Sequence, residues 1–374
     1  MTIVSTPPEV PELAADGRPP LKIAMVAPPW FELPPRAYGG TEAVVASLVD
    51  GLVDRGHEVT LVAAGRHATK ANRFHAVYPE PPSGRLGTPM PEVIAAAEAA
   101  RAIDELDVDI VHDHTLAGPL LARGRRQPTV VTMHGPVAGE NGDYHERLGR
   151  SIDLVAISDA QRRLNPVLNW VGTVHNAIDV STFPYRASKD DYVLWLGRFN
   201  PDKAPDLAIH AAREAGRRIV LAGKLNEPEE KRYFHDEVEP LLGNDAQYVG
   251  EADAELKREL LAGARALIFP IQWEEPFGMV MIEAMACGTP VVATRRGSVP
   301  EIVRHASTGL IVDDFRHFAR AIDLADELDP QAARRHIEQH FDLPVMAAGY
   351  ERIYRTLVEG SVGIRELVDA ETAI

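Results

Sequence analysis

One cysteine, Cys287, is all that the 374 residues contain, so the chain can form no internal disulfide. Long apolar runs are missing too. None approaches the ~20 residues that a membrane-spanning helix needs, which excludes an integral membrane segment. The N-terminus has no basic region followed by an apolar core, so no secretory leader is expected, and the expected compartment is cytoplasmic. Positive charge is scarce: Lys+Arg number 39 against 55 Asp+Glu, for a net charge of −16. That balance argues against a nucleic-acid binder, and an anionic substrate would need a locally basic site. No GxGxxG fingerprint follows the first strand-like run, which counts against a nicotinamide-dependent dehydrogenase. His112 and His114 alternate about Asp113, but no third ligand stands at metal spacing, so no metal site is expected.

What is present is the composition of a soluble globular protein, 45% hydrophobic and 25% charged, with length enough for two domains. Residues 1–20 are rich in proline, glutamate and small residues and are expected to be a disordered tail. Apolar runs at 21–27, 57–64, 108–114, 129–134 and 154–157 read as strands, with helical spacing at 43–55 and 92–106, a variable stretch through Pro91, and 172–179 leading into the next loop. A loop at 180–190 marks the domain boundary. The alternation then restarts, with strands at 192–196, 218–222, 246–249, 266–271, 291–294 and 310–312. Helical patterns lie between and after these strands, and a last amphipathic helix at 345–359 is entered through Pro344. The pattern predicts an α/β protein of two doubly wound parallel sheets, spanning 21–182 and 183–344, that face each other across a cleft.

The stretch 268–294 reads IFPIQWEEPFGMVMIEAMACGTPVVAT: strand, polar loop, helix over 277–287 opened by Pro276 and stopped by Gly288, then strand. Glu275 and Glu283 bracket its helix. Glu275 can simply offset the helix dipole, for a few tenths to ~1 kcal/mol, and Glu283 can face water. Against this, Glu283 sits among Met281, Ile282, Ala284, Met285 and Ala286, and ligands of such sheets bind where the Glu275 loop lies. Gly39-Gly40 opens a helix after the first strand: a capped turn, or a place where backbone N–H groups approach an anion. Arg198 and Lys203 flank the first strand–helix turn of the second half, as solvated cations or as grips for two phosphates. His134 ends a strand and is either structural or points into the cleft for hydrogen bonding and proton handling. Asp107-Val108-Asp109 has a D-x-D form but precedes a strand, the wrong end for a site, and reads as a polar lead-in.

Taken together these motifs resemble the retaining glycosyltransferases of the GT-B architecture, family 4, over residues 22–354. The likeness is carried by YGGTE at 38–42, GHEVTL at 56–61, HDH at 112–114, TMHG at 132–135, GRFNPDK at 197–203, EPFGxxxxE at 275–283 and GSVPE at 297–301. YGGTE, ISDAQR at 157–162 and FPIQWEEPFG at 269–278 are most similar to bacterial members labelled UDP-glucose:tetrahydrobiopterin glucosyltransferases.

The resemblance implies a metal-independent enzyme without cofactor that moves a hexose, glucose from UDP-glucose, to a small-molecule or glycan acceptor. In that scheme Arg198 and Lys203 hold the donor diphosphate, and Glu283 holds its ribose. Glu275 contacts the donor sugar, and His134 lies beside sugar and acceptor. Gly39 and Gly40 close over the diphosphate, and Phe277, Gly278 and Met279 offer backbone N–H groups. Ala204 departs from the glycine common after the lysine and should alter the turn slightly. The resemblance also implies that 345–374 crosses back onto the first domain, with closure pivoting near 180–190 and Asp342. Eight helical residues span ~12 Å, beyond the ~5–9.5 Å of a hydrolase carboxylate pair. A nucleotide-sugar epimerase, a phosphorylase and a non-catalytic nucleotide-sugar binder stand as rival readings. Arg123, Arg125 and Arg126 read as a solvated loop rather than a lipid contact.

Overall fold

A computed structural model describes residues 10–35 and 39–372, with side chains through 361. The apolar runs of the first half become β1 (Lys22–Val26), β2 (Glu58–Ala64), β4 (Ile110–Asp113), β5 (Thr129–Met133) and β6 (Asp153–Ala156), and β7 (Trp170–Thr173) forms where the sequence reads only as a lead into the next loop. A strand that sequence reading passes over as a variable stretch, β3 (Arg73–Tyr78), joins them at the edge of the sheet. The second half supplies β8 (Val193–Leu196), β9 (Ile219–Ala222), β10 (Ala246–Tyr248), β11 (Leu267–Phe269), β12 (Val291–Thr294) and β13 (Gly309–Val312). Both sheets are parallel, in the orders 3-2-1-4-5-6-7 and 10-9-8-11-12-13. The fold is therefore α/β with two Rossmann-like domains, as the alternation predicts.

The first half's helices are α1 (Gly40–Asp54), α2 (Pro89–Glu105), α3 (Gly139–Leu148) and α4 (Asp159–Leu164). Those of the second are α5 (Pro205–Glu214), α6 (Pro228–Tyr233), α7 (Ala254–Gly263), α8 (Met279–Ala286), α9 (Val299–Ile302), α10 (Phe318–Ala325) and α11 (Pro330–His340), before α12 (Leu343–Thr372). Side chains of each strand alternate between two cores. In the second sheet Leu194, Val220, Leu267 and Val291 pack on one face, and Val193, Trp195, Ile219, Ile268 and Val292 on the other. Strand order reverses between β1 and β4 and again between β8 and β11. Ligands of doubly wound sheets bind outside the strand ends at such reversals. The loops after β1, β4, β8 and β11 are thus the ones topology selects, and they carry Gly39-Gly40, His114, Arg198-to-Lys203 and Glu275.

Helix α12 returns to the first half. Its Met346, Ala347, Tyr350 and Tyr354 are buried in the core around β1, β2 and α1. Gly51 of α1 makes the approach possible, because a Cβ there would lie 3.0 Å from the Ala347 Cβ. The two chain crossings run side by side: the Ile178 N–H donates to the Phe341 carbonyl (3.1 Å) and the Val180 N–H to Asp342 Oδ1 (3.2 Å).

Three expectations need correction. Residues 10–20 pack on the first half and are not a disordered tail. Ala14 is buried, Arg355 reaches Asp16 Oδ1 at 3.2 Å and the Pro19 carbonyl at 2.7 Å, and residues 1–9 lie outside the described set. The helix after Glu275 starts at Met279, not 277, and Pro276 is not its first residue. Gly278 sets the start by taking a left-handed backbone, φ +82°, as its N-cap. One of the helical patterns of the second half, read from the sequence as a helix over 227–241, is no single helix but α6 followed by a wider turn and a tight turn that carries Pro240.

Candidate functional site

On the second-half side the loop after β8 is built to hold a cation in place. Trp195 Nε1 donates to the Lys203 carbonyl (3.0 Å), and Asn200 Oδ1 accepts from the Lys203 N–H (3.0 Å). Ala204 adopts the left-handed backbone, φ +47°, that a glycine would take more readily. Lys203 Nζ then pairs with Glu275 Oε2, which also accepts from Trp273 Nε1 at 3.0 Å. The ammonium lies 5.4 Å from the Trp273 ring centre and 5.5 Å from that of Phe269, within reach of a cation–π attraction. Arg198 is exposed, and its guanidinium has no partner among the described residues.

The loop that carries Glu275 is braced from behind. Glu274 Oε2 accepts from the Gly297 N–H (2.8 Å), the Glu275 carbonyl from the Ser298 N–H (3.0 Å), and the Phe277 carbonyl from Ser298 Oγ (2.6 Å). Phe277 is buried against the second core. The N–H groups of Gly278 and Met279 have no acceptor among the described residues and lie at the positive end of α8. Glu283 is 8% exposed and bonds Lys257 Nζ at 2.6 Å. Sequence reading misses Lys257. It stands on α7 with nothing local to mark it, and only the packing of α7 on α8 brings the two together.

On the first-half side His134 directly follows β5, and the backbone around it is clamped by Gln161 Nε2, which donates to the carbonyls of Met133 (2.7 Å) and Gly135 (2.8 Å). His134 Nε2 lies 2.8 Å from His114 Nδ1, and His114 Nε2 lies 3.1 Å from Met25 Sδ. A thioether sulfur only accepts, so His114 carries its proton on Nε2. Its Nδ1 then accepts from His134 Nε2–H, which leaves His134 Nδ1 unprotonated and able to accept. Burial lowers His134 to about 4 and pushes His112 and His114 well below the ordinary histidine value, so all three are neutral near pH 7. His112 is no ligand. Its ring bonds the Tyr354 hydroxyl (2.6 Å) and Thr132 Oγ1 (2.8 Å), and Thr132 meets the Tyr350 hydroxyl at 2.8 Å. This buried chain ties α12 to the strands that carry His114 and His134.

His134 shares a cavity of about 310 Å³ with Gly39, Gly40, Glu42, Glu92 and Trp30. Gly39 takes φ +139°, and a Cβ there would strike Pro35 at 2.8 Å, so the turn into α1 requires glycine. Tyr38 of the same motif lies outside the described residues. Burial raises the Glu42 carboxyl to about 7 and also raises Glu92. Asp107 and Asp109 face Lys22, Asp107 through its ammonium (2.5 Å) and Asp109 through its N–H (2.8 Å), so the D-x-D motif is the polar lead-in its place implied. Arg125 turns inward to Thr129 Oγ1 at 3.0 Å rather than standing in a solvated loop.

The structure thus gathers the predicted residues in two sets. Lys203, Glu275, Phe277, Gly278, Met279 and Glu283 cluster about α8, with Arg198 on the loop after β8. His134, Gly39 and Gly40 line the first-half cavity. No hydrogen bond or ion pair joins the sets among the described residues. The halves are joined elsewhere, by Glu301 of α9. Its carboxylate accepts from the N–H groups of Asp159 (2.8 Å) and Ala160 (2.6 Å) at the start of α4 and lies 3.1 Å from His175 Nε2.

Two family profiles cover most of the chain: Glycosyltransferase Family 4 matches residues 38–204, and Glycosyl transferases group 1 matches residues 181–340. A phosphatidyl-myo-inositol mannosyltransferase of Mycolicibacterium smegmatis is 26% identical over 92% of this chain and 96% of its own. A D-inositol 3-phosphate glycosyltransferase of a Mycobacterium species is 30% identical, over 62% of each chain. Among solved structures, AviGT4, a glycosyltransferase involved in avilamycin A biosynthesis, is similar at 27% identity and a TM-score of 0.67, covering 91% of this chain and 99% of that one. Anabaena HepE in complex with UDP and glucose shares the fold at a TM-score of 0.70 and 19% identity, over 90% of this chain and 100% of its own. The two mycobacterial relatives carry mannosyl and inositol-phosphate names, and none of the four bears the tetrahydrobiopterin label to which the motifs pointed.

Proposed function

The chain is a glycosyltransferase of the GT-B architecture, with a family 4 first half and a group 1 second half, and from that premise we propose that it moves a hexose from a nucleoside diphosphate sugar with retention and without a metal. The observation that carries this reading is the Lys203–Glu275 ion pair, with Arg198 on the loop after β8 and the N–H groups of Gly278 and Met279 at the start of α8, neither of them partnered among the described residues. As the bond from the sugar's anomeric carbon to the β-phosphate breaks, negative charge grows on the phosphate. Arg198, Lys203 and the start of α8 meet that charge as it develops, which is where fixed positive groups accelerate a reaction. Glu275, released by Lys203 to a phosphate, accepts from donor sugar hydroxyls, and Glu283 with Lys257 grips the ribose.

Each glutamate is the counter-ion of its own lysine, Glu275 of Lys203 and Glu283 of Lys257. Such a pair does not act as a glycosidase acid and nucleophile. We place the acceptor on the same face as the leaving group, with its hydroxyl proton passing to the released diphosphate and His134 Nδ1 accepting from a hydroxyl of sugar or acceptor. UDP-glucose is the donor we propose, with the cytoplasm as compartment. The mannosyl name of a relative aligned over nearly the whole chain favours GDP-mannose as the second reading.

Thermal melting with a panel of nucleotide sugars tests both, since a ligand at 100 times its Kd adds about 2.7 kcal/mol. UDP-glucose is expected to raise the melting temperature most and to be slowly hydrolysed to UDP and free glucose. A larger shift with GDP-mannose selects the second reading, and no shift with any donor rejects both. Glu275→Gln is expected to cut transfer about 100-fold. Unimpaired transfer by that variant with donor still bound would overturn the mechanism, and an inverted anomer in the product would overturn retention.

A further inference from the structure

His112 and His114 stand two apart and so point to one side of the first sheet, as do Thr132 and His134 on the next strand. Met25 lies opposite His112 on β1, on that same side, in the core that also holds Tyr350 and Tyr354. His112 is spent on Tyr354 and Thr132, and the His114 ring lies against it, 4.0 Å between centres. His114 is thereby fixed with Nε2 at 3.1 Å from Met25 Sδ and Nδ1 at 2.8 Å from His134 Nε2. Two proton patterns can join a pair of imidazoles that burial keeps neutral. In the first, His114 donates through Nε2 to the sulfur and accepts from His134. In the second, His114 donates through Nδ1 to His134 and turns a bare Nε2 toward the sulfur. The second leaves two acceptors facing each other at 3.1 Å with no proton between them, so the sulfur favours the first. Packing alone does not call for sulfur at position 25, since leucine fills nearly the same volume.

We propose that Met25 and His114 are positioning residues that set the tautomer of His134, so that its remaining nitrogen, Nδ1, is offered to a ligand as an acceptor and not as a donor. This rests on the donor reading above, in which His134 meets a hydroxyl of sugar or acceptor. A hydroxyl has a proton to give to Nδ1, whereas a phosphate or carboxylate oxygen has none and finds no donor there. The relay moves no proton during the reaction. It fixes the polarity of His134 before the ligand arrives, so that none has to be reorganised afterwards. Leucine at position 25 removes the only acceptor that Nε2 of His114 has among the described residues. Nothing then favours the first pattern, and His134 is free to take its proton on Nδ1.

The experiment uses the full chain with isotope-labelled histidine. Long-range proton–nitrogen correlation NMR near neutral pH tells a ring nitrogen that carries a proton from one that does not, and His134→Asn identifies the His134 signals by their loss. In the wild type without donor, His134 is expected to be protonated on Nε2 and bare on Nδ1. Met25→Leu is expected to shift His134 toward the form protonated on Nδ1 and to lower kcat/KM for the nucleotide sugar about 5-fold, the scale of one lost hydrogen bond. Met346→Leu, the same exchange in the same core, is expected to leave both readouts as in the wild type. His114→Phe serves as a second variant if Met25→Leu does not fold, and is expected to release the tautomer in the same way. A wild-type His134 protonated on Nδ1, an unchanged tautomer in Met25→Leu, or a changed tautomer with unchanged kcat/KM overturns the proposal. A wild type that turns over no nucleotide sugar fails the donor reading instead, while the nitrogen signals still decide whether Met25 sets the tautomer.

Discussion

At Lys203 and Glu275 two residues marked separately by their spacing turn out to be partners of each other. Their place at the ends of β8 and β11 was legible, because a glycine or proline turn after an apolar run fixes which residues leave the strand. Their pairing was not, since 72 residues separate them and only the sheet's order sets those two strands side by side. The same holds for His114, whose contact with His134 depends on β4 lying next to β5. Glu42 shows how burial turns into a pH effect. Its carboxyl is raised from 4.5 to about 7 by desolvation, so between those values the folded chain holds a proton that the unfolded chain has lost. Folding stability contributed by this group therefore falls as pH rises through that window. His134, lowered to about 4, acts in the opposite sense, costing stability as pH drops below 6.5, but it is common to wild type and variant. Glu42→Gln is expected to match the wild type within error at pH 4 and to exceed it at pH 8 by up to about 3 kcal/mol, because each pH unit between the unfolded and folded pKa values is worth about 1.36 kcal/mol. Urea unfolding at the two pH values measures the difference, and equal gains at both would mean that packing rather than charge is responsible.

Among the elements, the loop from Glu274 to Gly278 is the one whose shape the site depends on, and its support is a second loop about 20 residues further along, at Gly297 and Ser298. Gly297 takes φ +51°, and a Cβ on it would lie 2.2 to 2.8 Å from the Glu275 backbone, too close for either loop to keep its place. Gly297→Ala is therefore expected to push Glu275 away from Lys203, lowering kcat/KM by about 10-fold or more, beyond any change in donor affinity. Ser298→Ala, which removes only the hydroxyl bond to the Phe277 carbonyl, should do much less. Comparable kinetics for the two variants would show that the close approach does not hold the loop. Sequence reading finds this loop and its helix but misplaces the helix start, because Pro276 has the character of a first helical residue while Gly278 decides the backbone. It misses β3 for a related reason. An edge strand is half exposed and shows no continuous apolar run, so Arg73–Tyr78 carries no signal stronger than that of a loop.

Across the whole molecule, Glu301 is the group best placed to hold the halves closed. It reaches from the second half to the first, caps the N-terminus of α4 through two backbone N–H groups and meets His175. Burial pushes its carboxyl upward, but the bond from His175 and those from the Asp159 and Ala160 N–H groups outweigh this, and its pKa is lowered. The contact is thus at full strength above the ordinary glutamate range and is lost only as pH falls through the lowered value. Transfer needs the cavity beside His134 and the cluster about Lys203 to face each other, and no bond between those sets enforces it among the described residues. Removing Glu301 should then loosen domain closure without touching either set. Glu301→Ala is expected to raise the radius of gyration measured by small-angle X-ray scattering near neutral pH. It should lower kcat about 3- to 10-fold, the scale of a lost helix-capping carboxylate worth roughly 1 kcal/mol. Donor binding should change less than kcat, because Arg198, Lys203, Glu275 and Glu283 all lie within one half. Glu301→Gln keeps one acceptor for the α4 N–H groups and should fall between the alanine variant and the wild type. If Glu301→Ala weakened donor binding as much as turnover while the scattering stayed the same, Glu301 would be a support of the donor loop rather than a latch between domains.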